Sequence, residues 1–189
     1  MNGFGGLENA PMIFSEDVIL KALSYKNIDN ITAYLSDRET VFLLTYTPYP
    51  YTREMAEFWI RHIDNTMARG ETFYWSINVK SDFIGTIGLS IFSEHDKAEM
   101  HYWIGKPYWG NGYCTAAARL VINYCFNVMK LHRLEVNHMT RNVGSRRVIE
   151  KCGFIFESEA VDYVKRFGKY ENVMFYRLMM DDVKNTRSN

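Results

Sequence analysis

The spacing of apolar residues along the chain alternates between the period of a strand and the period of a helix. Residues that alternate between two faces predict strands at residues 18–23, 73–79, 99–105 and 133–140, and further strands are expected at residues 83–92, 154–157 and 173–180. Helical spacing predicts helices at residues 28–35, 52–70, 116–129 and 142–152. The segment from residue 45 to 51 is expected to be irregular, because Pro48 and Pro50 fix φ and lack a backbone donor. The pattern indicates one mixed α/β domain.

Residues at the element boundaries refine this prediction. Thr52 is the predicted N-cap of the second helix and Gly70 its stop. The buried face of that helix is expected to consist of Met55, Phe58, Trp59, His62, Ile63 and Met67. Gly85 and Gly88 mark places in a strand where a bulge or another backbone approaches. Residues 1–12 are predicted to be a loose tail, residues 13–184 the single domain and residues 185–189 a polar tail.

Composition excludes several classes of partner. The 22 basic and 22 acidic residues cancel, so the chain has no overall attraction to nucleic acid or to an anionic membrane. The apolar and aromatic share of 47% is enough for a continuous core. No apolar run approaches the roughly 20 residues that span a bilayer, and the first residues do not have the pattern of a secretory signal. We therefore expect no nucleic-acid or membrane partner.

The cysteines and histidines do not have the spacing of a metal site or of a disulfide framework. Cys114, Cys125 and Cys152 are widely separated, and the five histidines include no His-x-x-x-His pair. Three scattered thiols are typical of a reducing compartment. We expect a cytoplasmic protein without a metal.

The most informative segment is Ile104-Gly-Lys-Pro-Tyr-Trp-Gly-Asn-Gly-Tyr-Cys-Thr115, between a predicted strand and a predicted helix. Gly110 and Gly112 allow a tight turn whose amides converge in front of the helix N-terminus, where anions bind. Such a turn would accommodate the two phosphates of a pyrophosphate. The Gly-x-Gly pair alone is a weak signal, and it is neither a dinucleotide fingerprint nor a Walker loop.

Three motifs together carry a family resemblance. They are Tyr102-Trp-Ile104, Tyr108-Trp-Gly-Asn-Gly-Tyr-Cys-Thr-Ala-Ala117 and Asn142-Val-Gly-Ser-Arg-Arg-Val-Ile-Glu-Lys-Cys-Gly-Phe154. In this order and separation they resemble the GNAT acetyltransferase superfamily, in its RimJ/RimL-like branch of ribosomal-protein alanine or serine N-acetyltransferases. The resemblance extends from about residue 18 to residue 183.

The chain also departs from the family pattern. Trp109 replaces the superfamily's Gln or Arg, and Cys114 replaces a small residue. His101 stands where the branch often has glycine, and Ala116 where it often has glutamate. Ile149 occupies the position at which many members have a tyrosine acid, so the residue that assists the leaving group is open.

The resemblance implies the GNAT fold, an α/β arrangement with a central mixed, mostly antiparallel, twisted sheet, splayed middle strands and helices on both faces. It implies acetyl-CoA as cosubstrate, bound in the wedge between the splayed strands. The backbone of Tyr102, Trp103 and Ile104 would pair with the pantetheine arm, and an amide near Ile104 would face the thioester oxygen. The pyrophosphate would be held at the turn formed by Trp109, Gly110, Asn111, Gly112, Tyr113, Cys114 and Thr115.

Four further residues have a functional and a structural interpretation each. Asn142 would hydrogen-bond the pantetheine amides, or be only an N-cap. Ser145 would donate to the departing CoA sulfur, or lie on the helix surface. Glu99 would act as base through water, or be solvated. His101, on the same strand face as Glu99, is a second candidate base, or a packed histidine.

The sequence therefore predicts an acetyl-CoA-dependent N-acetyltransferase acting on a primary amine, with the N-terminal α-amine of a ribosomal protein as the first interpretation. Alternatives are a small-molecule amine acceptor (a polyamine, an aminoglycoside or an amino acid) and a non-catalytic CoA-binding module. A different enzyme class would use Cys114 as nucleophile with His101 as its base. A homodimer through the apolar C-terminal strand is a further prediction.

Overall fold

The structure of the protein is a computed structural model, and it describes residues 6–182. Its strands are β1 (Ile13–Phe14), β2 (Ile19–Ala22), β3 (Thr72–Val79), β4 (Asp82–Phe92), β5 (Lys97–Ile104), β6 (Arg133–Met139), β7 (Ile155–Arg166) and β8 (Lys169–Met179). Its helices are α1 (Ile28–Leu35), α2 (Arg38–Phe42), α3 (Arg53–Ala68), α4 (Tyr113–Asn127) and α5 (Val143–Lys151).

The described strands form one sheet in the order β1-β2-β3-β4-β5-β6-β8-β7. Neighbouring strands are antiparallel, with the exception of the parallel pair β5 and β6. This pair is joined only where Lys97–Glu99 lies beside Arg133–Glu135. Beyond that point β5 stays with β4 and β6 stays with β8, so the two halves of the sheet separate. The middle strands are splayed as the resemblance implies.

Alternate residues of β3 show that helices cover both faces of the sheet. Tyr74 packs edge-on against Trp59 of α3, with ring centroids 5.6 Å apart. Phe73 and Trp75 point the other way and contact Tyr124 of α4, at 5.7 and 5.4 Å. Because successive side chains of a strand point to opposite faces, α3 and α4 lie on opposite sides. The predicted fold class is confirmed.

Several elements differ from the sequence prediction. The strand β1 and the helix α2 were not predicted, and α4 begins at Tyr113 rather than at residue 116. The last hairpin is longer than expected, since β7 continues to Arg166 rather than ending near residue 157. Its side chains are mostly exposed on both faces and its pairing with β8 is irregular, so no period-two pattern marks it. In α3 the buried residues are Ala56, Ile60, Ile63, Thr66 and Met67, whereas Met55, Phe58 and His62 are exposed. The prediction for those three residues was wrong because small Ala56, not large Phe58, faces the sheet.

Residues 6–12 are not a loose tail. The Leu7 amide donates to Asp64 Oδ1 at 3.0 Å, and the Trp75 indole donates to the Pro11 carbonyl at 2.9 Å. Leu7 is buried, so this segment packs on α3 and β3. Residues 1–5 and 185–189 of the predicted tails lie outside the described residues, as do residues 183 and 184 of the predicted domain.

Candidate active site

The edge of β5 that faces the splayed gap carries backbone groups directed into the gap. The Gly105 amide donates to the Ile84 carbonyl at 2.9 Å, so the odd-numbered residues of β5 bond to β4. Backbone groups alternate along an antiparallel strand, and those of Tyr102 and Ile104 therefore point toward the gap. The Ile104 carbonyl accepts the Trp109 indole N–H at 2.7 Å. The Tyr102 backbone and the Ile104 amide thus present a strand-like edge to a ligand.

A cavity of about 310 Å³ occupies the gap between β5 and β6. A loop of residues 43–47, between α2 and α3, contributes one of its walls. The cavity brings together six of the residues that the sequence selected, namely Glu99, His101, Tyr102, Trp103, Asn142 and Ser145. The predicted residues from Trp109 to Thr115 lie beyond the end of β5, at the start of α4.

The turn before α4 has the conformation that its glycines were expected to allow. Gly110 has φ +80° and Gly112 has φ +82°, in the left-handed region that side chains disfavour. A Cβ built on either glycine would meet no atom within 4 Å. The Asn111 side chain donates to the carbonyls of Tyr108 and Trp109, both at 3.2 Å, and this braces the turn. Open space beside amides at the N-terminus of α4 fits a bound pyrophosphate.

Cys114 does not have the environment of a nucleophile. Burial raises the pKa of its thiol well above the usual value, with a smaller contribution from Cys152. A reactive cysteine needs the opposite shift. Cys114 also interacts electrostatically with Tyr102, which points to the other face of β5 from His101. The structure therefore disfavours the pairing of Cys114 with His101 as base.

Glu99 and His101 form a small polar cluster inside the cavity. Asn137 Nδ2 donates to Glu99 Oε1, and the Glu99 side chain is 27% exposed. His101 Nε2 lies 2.9 Å from Ser90 Oγ, and its Nδ1 lies 3.9 Å from Glu99 Oε1. Burial lowers the pKa of His101, although Glu99 raises it in part. The ring is therefore neutral at pH 7.

Asn142 is the N-cap of α5, as predicted, and it also holds the 43–47 loop. Its Oδ1 accepts the Ser145 amide at 3.0 Å, and its Nδ2 donates to the Leu43 carbonyl at 3.0 Å. The Asn142 side-chain amide keeps a second N–H and a second lone pair, which a pantetheine arm could use. The role of Asn142 in binding pantetheine stays a prediction. Ser145 lines the cavity, and its Oγ lies 2.8 Å from the Tyr102 hydroxyl.

The residues that anchor the loop beside the cavity were not among the predicted site residues. Arg141 Nη2 donates to the Phe42 carbonyl at 2.6 Å, and its guanidinium stacks on the Phe42 ring at 3.7 Å. Arg166 Nη2 donates to the carbonyls of Val41 and Thr47, at 3.3 and 2.6 Å. These contacts join residues about 100 positions apart, such as Arg141 and Phe42, and no local pattern indicates them.

Residues 17–155 match the family described as the acetyltransferase (GNAT) domain, which is most of the chain. This chain belongs to the GNAT acetyltransferase family. It is an N-acetyltransferase with acetyl-CoA as cosubstrate, as the motifs predicted.

Individual relatives of this GNAT protein differ in their acceptors. "Uncharacterized N-acetyltransferase p20" of Bacillus licheniformis is 26% identical over 88% of this chain and 95% of its own. The spermidine N(1)-acetyltransferase of Vibrio cholerae serotype O1 is 22% identical over 84% of this chain and 91% of its own. The solved structure of RimL, a ribosomal L7/L12 alpha-N-protein acetyltransferase in complex with coenzyme A, has the same fold, with TM-score 0.84 and 16% identity over 91% of this chain and 99% of its own.

The described residues form no membrane-spanning helix and no cluster of metal ligands. Between residues 6 and 182, no helix is long and apolar enough to cross a membrane. In the same part of the chain, no group of three histidine, cysteine or acidic side chains could hold a metal ion.

Proposed function

We propose that this GNAT enzyme acetylates the α-amine at the N-terminus of a protein. The observation that carries the proposal is the charge of the cavity. Among the described residues, Glu99 is the single carboxylate of the lining, which otherwise consists of neutral polar, aromatic and aliphatic side chains. One carboxylate matches one ammonium group. A polyamine has several positive charges, and any charge buried here without a partner would be costly.

Glu99 is the proposed base. An ammonium acceptor must lose a proton before its nitrogen can attack the thioester, and a carboxylate can take that proton directly or through one water. Asn137 fixes the orientation of the Glu99 carboxylate. His101, held neutral, offers Nδ1 as a second acceptor beside Glu99 Oε1, and Ser90 holds the other ring nitrogen. We retain His101 as the second candidate base.

The cofactor side of the cavity supplies donors. We assign the pyrophosphate to the amides of the turn from Trp109 to Thr115, and the pantetheine arm to the Tyr102 backbone, the Ile104 amide and Asn142. The Trp103 backbone, which was predicted to take part, bonds to β4 instead. The Ile104 amide points into the gap and would donate to the thioester oxygen, where negative charge develops during attack. Ser145 would donate a hydrogen bond to the sulfur as the carbon–sulfur bond breaks.

We place this activity in the single domain predicted over residues 13–184, together with the packed residues 6–12. The three cysteines are unpaired in the structure. A cytoplasmic location and a homodimer stay predictions. Both the RimL fold and the spermidine N(1)-acetyltransferase relative are compatible with the domain, so the choice of acceptor rests on the charge of the cavity.

The test is a thiol-release assay with acetyl-CoA and a panel of acceptors. Peptides that begin with alanine or serine, and contain one internal lysine, are compared with the same peptides blocked at the N-terminus. Spermidine and an aminoglycoside complete the panel. We expect CoA release only with the free α-amine, and a large loss of that rate in Glu99→Gln. Turnover with spermidine or the aminoglycoside but not with peptides would overturn the proposed acceptor. Acetyl-CoA binding without turnover on any amine would favour a non-catalytic CoA-binding module.

A further inference from the structure

The leaving group of the transfer reaction needs a hydrogen-bond donor, and the usual tyrosine position of the family is filled by Ile149. Ile149 is fully buried and has no polar group. A different tyrosine reaches the same region from the sheet. Tyr102 of β5 places its hydroxyl 2.8 Å from Ser145 Oγ and 3.4 Å from the Ser145 carbonyl. Both side chains line the cavity between the splayed strands.

The surroundings of the pair favour Tyr102 as the donor. The Ser145 carbonyl can only accept, and it lies on the same side of the phenol as Ser145 Oγ. A phenol is also a stronger donor than an aliphatic hydroxyl. When the phenol hydrogen is directed at Ser145 Oγ, the serine hydrogen is left to point elsewhere, and the cavity is the open direction.

The pKa values of the Tyr102 phenol and of the CoA thiol determine whether Tyr102 donates a hydrogen bond or transfers a proton. Burial raises the pKa of the Tyr102 phenol well above its usual value, and the Ser145 hydrogen bond offsets only part of this. A CoA-type thiol has a pKa of about 8.5. Transfer of a proton from Tyr102 to a thiolate is therefore strongly uphill, so the phenol stays protonated throughout.

We propose that Tyr102 is a positioning residue for the leaving group, which donates to Ser145 Oγ and so directs the Ser145 hydroxyl hydrogen at the departing sulfur. This rests on the proposed function of the same site. The amine lone pair forms the new carbon–nitrogen bond, and the electron pair of the carbon–sulfur bond passes to sulfur. The thiolate is stabilised by the Ser145 hydrogen bond. One proton leaves the ammonium through Glu99 before attack, and the second leaves the new amide nitrogen and reaches sulfur through water.

The first experiment measures the thiol of bound CoA and needs no acceptor. Thiolate absorbance of the enzyme with CoA, minus that with desulfo-CoA, is followed against pH. A donor aimed at sulfur favours the thiolate, so we expect Tyr102→Phe to raise the pKa of the bound thiol by about one unit, which is a tenfold change. The control is Tyr34→Phe, which also removes a partly buried phenol hydroxyl, bonded to the Phe83 carbonyl at 3.3 Å. This control should leave the bound thiol unchanged.

The second experiment measures turnover with the active acceptor. Tyr102→Phe is expected to lower kcat about tenfold while the KM for acetyl-CoA changes by less than about twofold, since the hydroxyl acts on the leaving group. Because the two hydroxyls act as a unit, Tyr102→Phe should have little further effect in a Ser145→Ala background. A thermal melt of each variant without ligand checks that it is folded.

An unchanged thiol pKa in folded Tyr102→Phe would overturn the inference, as would additive effects of the two substitutions. Failure of the wild-type enzyme to acetylate any peptide would instead overturn the proposed acceptor. In that event the thiol titration still tests the role of Tyr102, so the two failures are distinguishable.

Discussion

Replacing Gly112 by alanine tests whether the turn before α4 holds the cosubstrate. Gly112 has φ +82°, and a Cβ there would meet no protein atom within 4 Å. The free protein therefore loses stability only through backbone strain, which for an L-residue in the left-handed region is about 1–2 kcal/mol. In a domain of this size each kcal/mol lowers Tm by about 2–4 °C. The open space at Gly112 is also where a ligand would approach the amides.

The matched control is Gly153→Ala. Gly153 ends α5, also has φ +82° and also has no atom within 4 Å of a built Cβ. The added strain should be similar in both variants, so the Tm of the free protein should fall by a similar amount. The two variants should differ only when acetyl-CoA is present, because Gly153 is not part of the turn.

The expected difference follows from ligand linkage. At acetyl-CoA concentrations of about 100 times the wild-type Kd, binding stabilises the folded protein by about 2.7 kcal/mol. A methyl group that crowds the phosphates is expected to weaken binding about tenfold, which leaves about 1.4 kcal/mol of stabilisation at the same concentration. Thermal melts with and without acetyl-CoA measure both values. If Gly112→Ala keeps the full ligand-induced shift, as Gly153→Ala is expected to do, the assignment of the turn to the pyrophosphate is refuted.

Three other predictions concern side chains around the cavity. Cys114→Ala should keep kcat within about twofold, because burial raises the pKa of this thiol and a nucleophile needs a thiolate; loss of turnover in steady-state assays would restore the cysteine mechanism. Burial lowers the pKa of both His101 and His138, so unfolding binds protons below the ordinary histidine pKa of about 6.5. The unfolding free energy, measured by urea titration, should therefore fall as pH drops from about 7.5 to about 5.5, and it should fall less in His138→Gln. Equal pH dependence of the wild type and of His138→Gln would contradict this prediction. Arg166→Gln removes the hydrogen bonds to the carbonyls of Val41 and Thr47 and should raise the KM for the acceptor about tenfold. The KM for acetyl-CoA should stay unchanged, whereas a general loss of folding would affect both substrates.

Local patterns were sufficient for the elements whose two faces differ. Residues 72–75 of β3 alternate between partly buried and buried side chains, and the glycines at 110 and 112 permit the left-handed backbone of the turn before α4. The N-cap Asn142 and the left-handed Gly153 define both ends of α5 from residues within one turn of each end. In each case the deciding interactions lie within a few residues along the chain, so the sequence alone is enough to predict them.

Only the tertiary structure decided the parts that depend on distant residues. The separation of β5 from β6 after Glu99 comes from the different partners of the two strands, and it opens the cavity. The contact of Tyr102 with Ser145 joins two elements 43 residues apart. The long β7 has no buried face to give it a period, and its extent is set by its partner β8. The sequence by itself therefore determined most of the elements, the turn and the family. The three-dimensional packing determined that the hydroxyls of Tyr102 and Ser145 are in contact, because contacts between distant residues produce no periodic pattern in the sequence.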